Sequence, residues 1–245
     1  MTGSRRGRAA TVAIVVSALT GATCVGIALG DQQHPPEPPL SAASEFAPAG
    51  EALPHALTRH PTSAGPGRRA VPSKVAGPVL PPSLPTVLAI PAIGVRSTLL
   101  HLGQTSAGLL EVPAPGPHYN QAGWYRFSPA PGSLGPAVIA GHVDSAAEGP
   151  SVFFRLGALR PHDTVLVTRA DGSVAIFAVD KVRRFAKTGF PSQLVYGNTS
   201  NAALRLITCG GAFNRKTGHY VDNIVVLASL VRSRGTTHLP SEPAS

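Results

Sequence analysis

The chain has 245 residues, room for one domain or two, but its 25 prolines and 26 glycines are unevenly spread and shorten the foldable length. Its formal charge of +9 invites a nucleic-acid reading. From Thr86 to Arg232, however, 13 Lys/Arg face 7 Asp/Glu with no basic stripe interleaved with aromatics. No nucleic-acid partner is therefore expected, and the dispersed charge suits a cell-wall or membrane-surface protein.

Residues 1–8 form a basic N-terminus with Arg5, Arg6 and Arg8, followed by an uncharged apolar run over Ala9–Gly30. As a helix this run rises about 33 Å, enough to cross a hydrocarbon core of about 30 Å. Arginines before it and Asp31 after it put the N-terminus inside and the rest of the chain outside. A cleaved signal peptide is the alternative, but the run exceeds the apolar core of such peptides, so a retained single-pass anchor is expected. Residues 31–85 are thick with Pro, Ala, Ser and Gly and lack helical or strand periodicity, which predicts a disordered spacer.

Residues 86–232 suit one folded domain. Strands are predicted at Thr86–Ile90, Ala137–Ala140, Asp163–Arg169, Ser173–Val182, Ala203–Thr208 and Asn223–Leu230. Asp171-Gly172 between two β-rich runs predicts a hairpin. Ser151–Leu159 is the stretch that reads as helical. Many short strands with little helix predict a mainly β, closed or nearly closed barrel with short helices. Residues 233–245 read as a disordered tail.

Two cysteines are present, Cys24 inside the apolar run and Cys209 in the folded portion. A disulfide between them would join a membrane-embedded sulfur to a folded domain and is set aside. Cys209 follows the buried-strand sequence Leu204-Arg205-Leu206-Ile207-Thr208 and precedes Gly210-Gly211, so the thiol is expected where a strand opens into a glycine-rich loop. Such a thiol is either a fixed nucleophile or a small core residue. A thiol near its ordinary pKa of about 8.5 is only a few per cent thiolate at neutral pH, so catalysis needs an activating partner. Among nine histidines, His142 stands out because Pro136–Gly141 reads as a strand ending in glycine just before it.

The combination Ala140-Gly141-His142-Val143-Asp144 with Leu206-Ile207-Thr208-Cys209-Gly210-Gly211 and Tyr220-Val221-Asp222-Asn223 resembles the sortase family, with details similar to the class F sortases of actinobacteria. The similarity runs from about Ile90, through Gly123-Trp124-Tyr125, to about Ala228. It implies an eight-stranded barrel and a membrane-anchored extracellular cysteine transpeptidase. Cys209 would cleave a sorting motif in a secreted protein through a thioester. His142 would protonate the leaving amine and activate a cell-wall precursor amine. The resemblance requires no cofactor and no metal, and a closed barrel leads us to expect a monomer. A thiol hydrolase using the same dyad and a non-catalytic tethered wall-binding module are the alternatives.

The family usually places an arginine on the strand after the cysteine loop, to stabilise the oxyanion or orient substrate. Here that stretch reads Val221-Asp222-Asn223. Arg205, on the same strand face as Cys209 but about 13 Å along it, and Arg215, in the following loop, are the two substitutes. Asp144 either holds His142 or caps a turn, and Thr208 either lines a substrate pocket or serves strand propensity.

Overall fold

The computed structural model describes residues 35–38, 75–147 and 149–235. The expected anchor Ala9–Gly30, most of the expected spacer and the tail beyond Gly235 lie outside these residues. No helix among the described residues is long and apolar enough to cross a membrane.

Eight strands close into a barrel: β1 (Pro85–Ile90), β2 (Val95–Leu102), β3 (Ala122–Tyr125), β4 (Gly135–Ala140), β7 (Thr164–Arg169), β8 (Val174–Ala186), β9 (Ala202–Asn214) and β10 (His219–Arg234). Around the barrel their order is β1-β2-β3-β4-β9-β10-β8-β7. The two-residue strands β5 (Asp144–Ser145) and β6 (Gly149–Pro150) pair separately beside it. Most neighbours are antiparallel; β2–β3 and β4–β9 are the parallel pairs.

Alternation along the strands assigns their faces. Leu204 and Leu206 of β9, Ala137 and Ile139 of β4, and Ile224, Val226 and Ala228 of β10 fill the interior with Leu88, Phe153 and Phe177. The intervening residues point outward. There Val138, Ile207 and Val225 form a second apolar cluster with Val195 of helix α1 (Ser192–Tyr196), flanked by Leu110, Tyr125, Phe185 and Phe190. β4 and the first half of β9 are thus buried on both faces, as their continuous apolar runs require.

All six predicted strands are present, and the Asp171-Gly172 hairpin joins β7 to β8. Gly172 has φ +78°, and Asp171 accepts bonds from the Ser173 amide and hydroxyl, which hold its carboxyl below the usual aspartate range. Strands β2 and β3 stand beside the six predicted ones. The polar Ser97, Thr98 and His101 interrupt any apolar alternation in β2, and β3 is only four residues long. Ser97 accepts a bond from the Ala122 amide at 3.0 Å, so a buried hydroxyl helps join them. Two expectations are corrected. Ser151–Leu159 is a run of turns ending in a 3₁₀ turn at Leu156–Ala158, not an α-helix. Its inward side chains Phe153, Leu156 and Leu159 recur every third residue, the 3₁₀ period.

The second correction concerns β9. It does not open into a loop after Cys209 but continues to Asn214 and turns through residues 215–218 into β10. The register shifts here, from Asp222↔Gly210 to Tyr220↔Phe213. Gly211 at φ +74° takes the left-handed conformation that a glycine bulge needs.

Two parts of the Pro-rich stretch fall within the described residues. Residues 75–84 lie along the barrel, where the Leu80 amide donates to Gly132 O at 2.8 Å and Leu80 packs on the core. Glu37, in residues 35–38, forms an ion pair with Arg184.

Candidate active site

The parallel ladder between β4 and β9 ends at Ala140↔Ile207. Two residues further along each strand stand His142 and Cys209, and the Gly141 amide still donates to Ile207 O at 3.2 Å. The two residues selected from sequence are therefore carried to the same end of adjacent strands. Cys209 shares the outward face of Ile207 and is half-buried.

The backbone around His142 is pinned. Its carbonyl accepts from the Phe153 amide at 3.0 Å, and Val143 O accepts from the Ser151 amide at 2.9 Å. Gly141 is needed for this approach, because a Cβ there would lie 2.7 Å from Val152 Cγ1 and 2.9 Å from Phe153 Cδ2. The ring itself is held twice. It stacks on Tyr119 with centroids 4.0 Å apart and planes 4° apart. Its Nε2 lies 2.8 Å from Pro113 O. A carbonyl can only accept, so Nε2 carries hydrogen and the neutral ring keeps its lone pair on Nδ1.

Asp144 links the two halves of the site. Its backbone carbonyl accepts from the Tyr119 hydroxyl at 2.7 Å, and its carboxylate accepts from the Tyr220 hydroxyl at 2.5 Å. Tyr220 belongs to the hairpin that carries Cys209. Burial pushes its phenol above the ordinary range, and the bond to Asp144 and the neighbouring charges add to the shift. Asp144 thus bears on His142 through Tyr119.

The ladder partner of Cys209 on β10 is Asn223, whose own partner on β8 is Phe185. Just beyond β8, Lys187 donates from Nζ to Cys209 Sγ at 3.5 Å. Arg205 and Arg215 have no hydrogen bond to the thiol. Arg205 is buried, with Nη1 donating to Leu204 O at 3.2 Å and Nε unpartnered among the described residues. Desolvation lowers its pKa, partly offset by the charge of Asp180. Arg215 is exposed in the turn after β9. Thr208 faces inward, opposite to Cys209, and is buried with no partner for its hydroxyl among the described residues. Among the described residues no cluster of His, Cys, Asp or Glu is placed to hold a metal ion.

The sequence profile of the sortase domain matches residues 88–231. The chain belongs to the sortase family. Its fold is the closed eight-stranded barrel described above, and sortases are cysteine transpeptidases acting on proteins that bear sorting signals. Similar solved structures include sortase A of Listeria monocytogenes, at 19% identity over 64% of this chain and 92% of that one, with TM-score 0.46. A lid mutant of sortase A from Corynebacterium diphtheriae is 21% identical over 62% and 71% of the two chains, with TM-score 0.45. The pilus-related sortase C of Group B Streptococcus is 13% identical over 62% and 69%, also with TM-score 0.45. No curated protein matches the chain.

Sequence reasoning missed Pro113, Tyr119 and Lys187. Pro113 lies 29 residues from His142 and Lys187 lies 22 from Cys209, and no local pattern signals either contact. Tyr220 appeared only as part of the family resemblance.

Proposed function

We propose that this sortase domain exchanges one amide bond for another through a thioester on Cys209, with His142 shuttling the proton. The observation that carries the proposal is that His142 and Cys209 both stand two residues past the Ala140↔Ile207 ladder pair. In the forward step the thiol gives its proton to His142 Nδ1, and the sulfur attacks a carbonyl of the sorting motif. The C–N bond then breaks, and His142 returns the proton to the departing amine. An incoming amine reverses these roles and regenerates the thiol, which divides one difficult exchange into two easier steps.

The apolar outward cluster around Ile207, Val138 and Phe190 adjoins the thiol and suits a motif with aliphatic side chains. In the cell we assign the enzyme to the outer face of the membrane, tethered by Ala9–Gly30. Its clients are secreted proteins, and its acceptor is a cell-wall precursor amine. We place it with the class F sortases on the motifs quoted above.

The test is intact-mass analysis of the full chain with sorting-signal peptides, alongside Cys209→Ala and His142→Ala. A mass increase that needs Cys209 and disappears on adding an amine is the expected result. If products form at the same rate and composition with and without amine, the enzyme is a hydrolase. If Cys209→Ala leaves function intact in a folded chain, the cysteine is structural and the proposal fails.

A further inference from the structure

We propose that Lys187 is a catalytic residue of this site, its ammonium supplying the positive charge beside Cys209 Sγ. The inference rests on the acyl-transfer reading above and adds a residue to it.

Three observations meet here. First, Asn223, the neutral residue paired with Cys209 across β9–β10, offers no charge to the sulfur from the neighbouring strand. Second, the hydrogen bond to Sγ among the described residues comes from Lys187 Nζ, at 3.5 Å. Third, the backbone of Lys187 is held from both sides. Ala186 before it is the last residue of β8 and pairs with Asp222, which pairs with Gly210 next to the nucleophile. Beyond the Lys187–Gly189 turn, Phe190 packs on Phe185 with centroids 6.4 Å apart, and both flank the outward apolar cluster. On so short a bridge between anchored residues the backbone of Lys187 is confined near the thiol, so this exposed side chain loses less freedom on pairing than one on a free loop.

A fixed positive charge next to a thiol favours the thiolate, the form that attacks. The electron balance is simple. The thiol proton passes to His142, and the sulfur lone pair forms the S–C bond while the carbonyl π pair moves to oxygen. Collapse returns that pair, breaks the C–N bond and releases the amine with the proton from His142. Lys187 transfers no proton. Its charge faces the sulfur before attack and lies close to the new oxyanion afterwards.

Other charged or titratable groups surround the thiol. His142 stands at the end of β4. Tyr220 on β10, bonded to Asp144, is electrostatically coupled to Cys209. Asp222 belongs to the opposite face of β10, where it lies 3.5 Å from Arg184. The test must therefore isolate Lys187. In the full chain, the pH profile of iodoacetamide alkylation is read at the Cys209 peptide by mass spectrometry, which separates it from Cys24. Wild type, Lys187→Met and Lys187→Arg are compared, with circular dichroism confirming the fold, and thioester formation is followed on the same samples.

Lys187→Met is expected to shift the profile to higher pH and slow alkylation near neutrality on the order of fivefold, the effect of one screened charge at this distance. Lys187→Arg should stay within about twofold of wild type. A Met profile that superimposes on wild type overturns the proposal, as does an Arg profile displaced as far as that of Met. If the profiles move as expected but the wild type forms no thioester, the charge pairing stands and the acyl-transfer reading falls, so the two failures are distinguishable.

Discussion

The ring of Tyr119 lies flat against that of His142, 4.0 Å centroid to centroid, while the Tyr119 hydroxyl is tied to Asp144 O. The stack and the Pro113 carbonyl together fix both the plane and the tautomer of the imidazole. Tyr119→Ala removes the plane and should slow single-turnover thioester formation by about tenfold, since a misdirected base loses rate steeply. Tyr119→Phe keeps the stack and loses only the tether, so a fall of about two- to threefold is expected. Equal rates for the Ala variant and wild type would show that the stack does not position His142.

Gly211 carries the bend that follows the nucleophile. At φ +74° an L side chain is strained, and a Cβ would sit 2.2 Å from Asp222 Oδ2. Gly218 has a similar φ of +71° but open space around it. Gly218→Ala should therefore cost about 1 kcal/mol from backbone strain alone. Gly211→Ala should cost about 2–3 kcal/mol, because Asp222 must also move. Urea unfolding of the two variants decides this, and equal costs would mean that Asp222 yields freely.

Much of the barrel can be read from sequence because Val, Ile and Leu alternate or run continuously where a strand is buried, as in β4, β7 and β9. Strands β2 and β3 escape because their pairing depends on the hydroxyl of Ser97 and on Gly123, a position where a Cβ would lie 2.4 Å from Leu102 Cγ. Neither residue carries strand propensity, and both matter only once the neighbouring strand is in place. His142 and Cys209 are legible because each follows a strand-like run. Lys187 is not, because in sequence it is one more surface lysine and only the β8–β10–β9 register brings it to the thiol. The Gly210-Gly211 pair reads in sequence as the start of a glycine-rich loop. Its structural work at Gly211 is a bulge, a distinction set by register and invisible in composition.

Tyr220 gives the hairpin a signature at high pH. Its phenol is held above the ordinary value of 10.0, so the unfolded chain loses that proton first as pH rises. Burial first, and then the bond to Asp144, favour the protonated phenol in the folded chain; that contribution is full below pH 10 and is progressively lost above it, because ionisation then favours the unfolded state. Tyr220→Phe removes both the bond and the titration. Wild-type stability should therefore fall more steeply than that of Tyr220→Phe as pH is raised from 9 to 11, measured by thermal melts at each pH. Parallel curves would show that burial and the Asp144 bond do not hold the phenol protonated.

Gly141 tests whether backbone placement of His142 depends on the wall formed by Val152 and Phe153. An added methyl meets Val152 Cγ1 at 2.7 Å and Phe153 Cδ2 at 2.9 Å. Both contacts are too close, and the strand end must move away from residues 151–153 or they from it. Gly141→Ala should cost about 1–3 kcal/mol through overpacking and should lower the thioester rate as well, since His142 is the next residue. Val152→Ala alone opens a small gap. Combined with Gly141→Ala it removes the shorter of the two clashes, so the double variant should be more stable than the sum of the single effects predicts, by about 1 kcal/mol. Strict additivity in a double-mutant cycle would place the strain elsewhere than at Val152. Recovery of stability without recovery of rate would mean that Phe153, still 2.9 Å from the new methyl, is the side chain that sets the height of His142 above the barrel end.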